Sequence, residues 1–180
     1  KGMLYGRGLA SYIEWTGGRA HTEKVSLRAT GDGRIVLHSA TQAMGQGLET
    51  TYVQLVTEVL QIPAAGVTIV QGDTDRANGV GSVGSRSAFV GGSAVVAAGR
   101  TLIVRGKELA ADALEAAPQD IEYRDGRFFI AGTDRSASLA ELAGRQAERR
   151  VRVSATQTPS TPSWPNGAQA CEVEIDPQTG

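Results

Sequence analysis

Two stretches place residue types suited to ligand chemistry close together: Met44-Gly45-Gln46-Gly47 and Gly84-Ser85-Arg86-Ser87. Each sets bare backbone directly before a segment with helical spacing. A helix start has unpaired N–H groups and a partial positive charge, so it suits an anion. Glycine lets a ligand approach the backbone. Gln46 adds a donor and an acceptor. Ser85 and Ser87 add hydroxyls near the second helix start, and Arg86 adds a cation for a phosphate or for Asp73 or Asp75. Taken singly, each stretch also reads as an ordinary capped turn, with Glu49 complementing the first helix dipole. Taken together, they point to a bulky dianionic ligand held between two helix ends. Neither is a Walker loop, which needs a Gly-Lys-Ser/Thr ending. Neither reads as a Rossmann fingerprint, since no βαβ unit with Gly-x-Gly-x-x-Gly spacing is evident.

The remaining reactive residues carry less. His38 falls in an alternating strand and reads as structural. Cys171 opens a strand and reads as a small buried hydrophobe. Glu14, Glu58 and Glu108 have no evident partners, and "GRQAERRVR" reads as a solvated basic face. One cysteine and two histidines make neither a disulfide nor a tetrahedral metal site by spacing, so no metal-ligating residue is assigned. A formal net charge of −1 argues against a nucleic-acid or membrane-surface role driven by bulk charge. The apolar run from Ser87 to Gly99 is short and holds several Gly and Ser, which argues against a membrane span. With one cysteine and no evident signal peptide, a cytoplasmic location is the default expectation.

The elements that must position these loops follow from periodicity. "RGLASYIEW" is a strand of poor alternation. "KVSLRAT" and "RIVLHSAT" alternate about a Gly-Asp-Gly turn and form a hairpin. From Leu48 the period becomes helical, with Leu48, Tyr52, Leu55, Val56 and Val59 on one face and Pro63 closing the helix. "VTIVQ" is a short buried strand. The long Gly-rich loop over 72–87 reads as functional. A long helix follows from about Arg86 to Leu114. Ser93, Arg100 and Lys107 make its polar stripe, and Gly91, Gly92, Ala94, Ala98 and Gly99 its small face, suited to close approach of another backbone. "DIEYRDGRFFIAG" is a hairpin about Asp-Gly. "SLAELAGRQ" is a short helix with Ser138 and Glu141 as a capping box. "RVRVSAT" and "CEVEI" are strands joined by a Pro-rich connector. The mixture predicts an α+β fold, a two-layer sheet-and-helix arrangement with hairpins and one long helix, over a single domain at 1–180.

The run "TQAMGQGLETTYVQLVTEVLQIP", then "VTIVQGDTD" and "GVGSVGSRSAFVGGSAVVAA", resembles the molybdenum hydroxylase large subunits. That family holds xanthine dehydrogenase, aldehyde oxidoreductase and aerobic carbon monoxide dehydrogenase. The resemblance is strong over 36–100 and weaker at "GRGLASYIEWTGG" and "ACEVEIDPQTG". "GDTD" and "GVGSVGSRS" look closest to the carbon monoxide dehydrogenase large chain branch. It implies an oxidoreductase fragment whose Met44, Gly45, Gln46 and Gly47, with Gly84, Ser85, Arg86 and Ser87, contact a molybdopterin cofactor, in bacterial members usually the cytosine dinucleotide. Its molybdenum would be held by the cofactor's dithiolene and by non-protein ligands, which accounts for the poverty in Cys and His.

The resemblance further implies an iron–sulfur subunit and an FAD subunit as partners, and a substrate that is carbon monoxide, an aldehyde or an N-heterocycle. The family's catalytic glutamate, in a Gly-x-Gly-Glu segment, is not found in this sequence, so no catalytic residue is assigned and the isolated chain is expected to be inactive. Exposed strand edges would make a homodimer a natural repair. Two rivals stand beside this reading. One is a non-catalytic scaffold paralogue. The other is an unrelated nucleotide-binding module, which would want a lysine that neither loop has.

Overall fold

The computed structural model describes residues 2–17 and 21–180. Its centre is a four-stranded sheet. Strand β2 (Glu23–Thr30) turns through Gly33, at φ 87°, into β3 (Ile35–Ser39), the hairpin expected from the Gly-Asp-Gly signal. Helix α1 (Leu48–Leu60) then carries the chain to β4 (Val67–Gln71), which lies parallel to β3. Strand β8 (Arg150–Gln157) closes the other side against β2, giving the order β4-β3-β2-β8.

Two expectations change here. Strand β4 is a half-buried edge strand rather than a buried one. The segment β3-α1-β4 is a βαβ unit, so Met44–Gly47 does sit at the mouth of a parallel crossover, though without dinucleotide-fingerprint spacing. The hairpin signal before it concealed this, because a half-buried edge strand gives no alternation to mark its direction.

Helix α1 buries Leu48, Tyr52, Val56 and Leu60, the i, i+4 stripe of an amphipathic helix. It ends at Gln61, whose left-handed conformation stops it two residues before Pro63. The second helix runs without a break from Ser87 to Leu114: a π-turn at Ser87–Gly91 continues into α2 (Gly92–Leu114). By length and composition alone it could cross a membrane. Here Ala94, Val95, Ala98 and Leu102 are fully buried in the same core as Val25, Leu27 and Leu37 of the sheet, so it is the core helix of the sheet–helix layer. The glycines on its small face admit side chains rather than a backbone. A Cβ at Gly99 would stand 2.6 Å from Val59 Cγ1 of α1, one at Gly106 would strike the Phe128 ring, and one at Gly91 would strike Tyr52 Oη.

A smaller antiparallel sheet joins β5 (Ile121–Arg124), β6 (Arg127–Ile130) and β7 (Ser136–Ser138) beside α2. The β5–β6 turn holds Asp125 and Gly126 at φ 49° and 72°, as a two-residue Asp-Gly hairpin requires. Tyr123 Oη donates to the Leu60 carbonyl and Asp125 N–H to Gln61 Oε1, fastening this sheet to the end of α1. Helix α3 (Leu139–Gly144) starts with the expected reciprocal box between Ser138 and Glu141.

The two end strands, β1 (Leu4–Ile13) and β9 (Asn166–Ile175), pair antiparallel as an extended ribbon exposed on both faces. Cys171 lies midway along β9 and is exposed, not buried, because among the described residues the ribbon has two strands and no second layer covers it. The architecture is α+β as expected, with three sheets among the described residues where one was foreseen.

Candidate functional site

Both Gly-rich loops leave the same end of the central sheet, at the carboxyl ends of the parallel strands β3 and β4. In the first, Gly45 and Gly47 have φ of 91° and 75°, and a Cβ on either would meet open space. Their bareness therefore serves the backbone conformation and whatever approaches from outside, not internal packing. Gly47 occupies the N-cap of α1 and supplies no side-chain cap, so the first-turn N–H groups are left for an outside acceptor. Met44, Gly45, Gln46 and Gly47 are all exposed. Gln46 folds its amide onto its own loop: Oε1 accepts from Met44 N–H and Nε2 donates to the Gln42 carbonyl at 3.0 Å. Its two polar ends hold the loop's shape before any ligand is considered.

The second loop is brought against the first through Gln42. Ser82 N–H donates to Gln42 Oε1 at 2.9 Å, and Ser82 Oγ donates to the Gln42 carbonyl at 2.6 Å. That carbonyl therefore accepts from both loops. Ser87 Oγ donates to Ser82 Oγ at 2.8 Å, drawing the start of the second helix into the same network. A chain of hydroxyls supports it from below. Tyr52 Oη donates to the Ser87 carbonyl at 2.8 Å and lies 2.8 Å from Thr41 Oγ1, which lies 2.7 Å from Ser39 Oγ. Since Tyr52 spends its proton on Ser87, Thr41 must donate to Tyr52 and Ser39 to Thr41. Burial holds the Tyr52 phenol above its ordinary pKa, keeping that donor protonated.

Gly84 and Ser85 are exposed at φ 54° and 57°. A left-handed serine costs about 1–2 kcal/mol, and the turn is fixed by Gly17 N–H donating to the Gly84 carbonyl at 2.7 Å. Arg86 departs from the expected role. It pairs with neither Asp73 nor Asp75. Its guanidinium is fully buried, with Nη1 2.7 Å from Glu23 Oε2 and 2.6 Å from the Gly81 carbonyl, and Nη2 2.7 Å from the Thr22 carbonyl. Asp73 instead faces Arg76 at 3.7 Å. A desolvated guanidinium needs several acceptors, and the carbonyls of Gly81 and Thr22 with a buried carboxylate supply them.

Of the eight residues singled out from the sequence, seven are thus exposed or half-buried around one junction, and Arg86 lies beneath it. Glu23, Gln42, Tyr52 and Ser82 were missed. One signal was present: Glu23 shares the inward parity of Val25, Leu27 and Ala29 in β2, where a carboxylate calls for a buried cation. A cleft of about 440 Å³ opens beside the junction, lined by Gln42, Ala43, Glu49, Gln71 and Gly72. It lies at the carboxyl ends of a parallel strand pair, where α/β crossovers place ligands. Among the described residues no group of His, Cys, Asp and Glu could hold a metal ion. The uncapped α1 start and the open space over Gly45 and Gly47 fit a phosphate-bearing group that carries its own metal ligands.

Comparison with known proteins places the fold in a family. The model of the molybdopterin cofactor-binding domain matches residues 1–180. The chain is 34% identical over 158 residues to the 6-hydroxypseudooxynicotine dehydrogenase complex subunit gamma of Paenarthrobacter nicotinovorans, covering 82% of this chain and 20% of that one. It is 31% identical over 167 residues to the carbon monoxide dehydrogenase large chain of Afipia carboxidovorans, covering 88% and 21%. The solved quinoline 2-oxidoreductase from Pseudomonas putida 86 superposes with a TM-score of 0.71 at 31% identity, over 99% of this chain and 25% of that one. A Cu,Mo-containing carbon monoxide dehydrogenase superposes with a TM-score of 0.76 at 28% identity, over 98% and 24%. The chain thus spans about a fifth to a quarter of the length of these relatives. With its fold and its whole length matched, the chain belongs to the molybdopterin cofactor-binding domain family.

Proposed function

We propose that this chain is the cofactor-holding part of a molybdenum hydroxylase large subunit, an oxidoreductase, and that Met44–Gly47 and Gly84, Ser85 and Ser87 are the residues that touch the cofactor. The observation that carries this is the junction at Gln42, whose carbonyl accepts from Gln46 and Ser82 and so holds two exposed glycine turns side by side. The α1 start offers N–H donors to an anionic group, best read as the pyrophosphate of the cytosine dinucleotide form. Gln46, released from the Gln42 carbonyl or from Met44 N–H, would present its amide edge to the pterin. When bound, the group supplies the molybdenum-centred redox chemistry. This chain's own residues supply binding, orientation and a rigid floor under the second loop.

Relatives named as a dehydrogenase complex subunit and as a large chain support a multi-subunit parent, in which iron–sulfur and FAD subunits would take the electrons. Carbon monoxide, an aldehyde and an N-heterocycle are its candidate substrates, and the cytoplasm its proposed location.

The test is elemental analysis for molybdenum in the full-length large subunit, expressed in a host that makes the cofactor. The wild type should carry stoichiometric molybdenum. Gly47→Ala and Gln46→Ala should lose most of it. Gly132→Ala, at another positive-φ glycine with open space in the β6–β7 turn, should keep it. A folded wild type without molybdenum would make the chain a scaffold that has kept the loops without the chemistry.

A further inference from the structure

The face of the central sheet opposite α1 and α2 carries charge that the cofactor loops do not use. Strand alternation turns Val25, Leu27 and Ala29 of β2 toward the helices and Lys24, Ser26 and Arg28 the other way. In β3 and β8 it turns His38 and Arg152 to that second face, opposite Ser26 and Arg28 in the register. The loop after β4 folds over this face. Between loop and sheet lies a cavity of about 490 Å³, lined by Lys24, Ser26, His38, Arg76, Asn78, Arg152 and Ser154 among others.

Three features set the cavity apart. Among the described residues three cations line it and no carboxylate does; Asp73 of the loop, half-buried, is 3.7 Å from Arg76. This concentration occurs on a chain whose formal net charge is −1. His38 is only 6% exposed, and its Nδ1 has no hydrogen-bond partner among the described residues. A buried ring nitrogen left unpaired is costly, and an anion in the cavity would favour the protonated ring electrostatically. Finally, the lining shares no residue with Met44–Gly47 or Gly84–Ser87, so this is not the cofactor junction.

We propose that this cavity binds the phosphate group of a small phosphorylated molecule, with Lys24, Arg76 and Arg152 as its cations and His38 and Ser26 as its hydrogen-bonding floor. A phosphate group matches the charge, because three cations converge against the single ion pair of Arg76 with Asp73. The volume exceeds what a bare oxyanion fills and falls in the range of small-molecule sites, so an organic moiety fits beside it, toward Asn78 and Ser154.

The test uses calorimetric titration of the full-length large subunit with inorganic phosphate and, separately, with glycerol 3-phosphate, comparing the wild type with Lys24→Ala/Arg152→Ala and with Arg76→Ala. The replaced side chains are exposed, and molybdenum content reports independently on the fold and on the cofactor junction. The expected result is binding that weakens at least tenfold in the double variant and several-fold in Arg76→Ala, with molybdenum unchanged. Tighter binding of the ester than of the ion would identify a phosphorylated molecule as the source of the group; equal binding would identify free phosphate. Absence of binding to the wild type, as when a carboxylate of the surrounding polypeptide fills the cavity, would overturn the proposal. So would binding that the variants leave unchanged.

Discussion

Arg86 Nη1 stands 2.7 Å from Glu23 Oε2, and both side chains are withdrawn from solvent beneath the two glycine loops. The guanidinium also holds the carbonyls of Gly81 and Thr22, so one cation joins the start of β2 to the turn before the second helix. Among the described residues, the Glu23 oxygens accept no well-aligned hydrogen bond. The carboxylate therefore depends on proximity to the guanidinium, and removing Arg86 strands it.

Arg86→Ala should therefore cost about 3–5 kcal/mol, the range for an orphaned buried charge. Glu23→Gln should cost less, because the amide stays neutral and can still accept from the guanidinium. The double change Glu23→Gln/Arg86→Met should cost less than the sum of its parts. Amide exchange of the large subunit, followed in peptides covering 21–30 and 80–90, checks this. The single variants should lose protection there while peptides from β5 to β7 keep theirs. Uniform loss, or none, would contradict a local pin.

That pin marks the boundary of what the sequence discloses. Periodicity and turn chemistry suffice for the β2–β3 hairpin, for α1, for the Asp125-Gly126 turn and for the Ser138–Glu141 box, because each is decided by residues close together in the chain. The loop residues Met44–Gly47 and Gly84–Ser87 are legible for the same reason. Contacts across long separations are not. Gln42 meets Ser82, Glu23 meets Arg86 and Tyr52 meets Ser87 only once α1 has crossed from β3 to a parallel β4. Arg86 misleads because a guanidinium beside serines and glycines has the same local pattern whether it faces a phosphate or a buried glutamate. Cys171 misleads because strand propensity says nothing about whether a second layer covers the strand.

The glycines of α2 offer a sharper check on packing. In an exposed helix, Gly→Ala stabilises by about 1 kcal/mol. At Gly106 the added methyl would meet the Phe128 ring, with Cε1 at 2.7 Å, and Phe128 is fully buried. Gly106→Ala should instead destabilise by about 1–3 kcal/mol as an overpacked core position. Phe128→Leu in the same background should recover part of the loss. Thermal unfolding of the large subunit variants, with amide exchange in peptides from β5 and β6, measures both. A neutral or stabilising Gly106→Ala would mean that the Phe128 ring moves aside without cost.

The last prediction concerns pH. His38 is held below its ordinary pKa of 6.5, first by burial and then by the positive charges of Arg28, Arg152 and Arg76; Asp73 opposes the shift. Lys24 also lines the cavity that His38 floors. With the folded pKa below the unfolded one, the unfolded chain binds the proton more readily. The contribution of His38 to stability is therefore full above about pH 6.5 and is lost as pH falls through the lower folded value. Amide protection across β2 and β3 should accordingly weaken on acidification below pH 6.5, and His38→Gln should flatten that dependence. Inorganic phosphate should oppose the weakening, because an anion in the cavity favours the imidazolium against the surrounding cations. A His38→Gln profile that keeps the full slope would assign the acid sensitivity to another group.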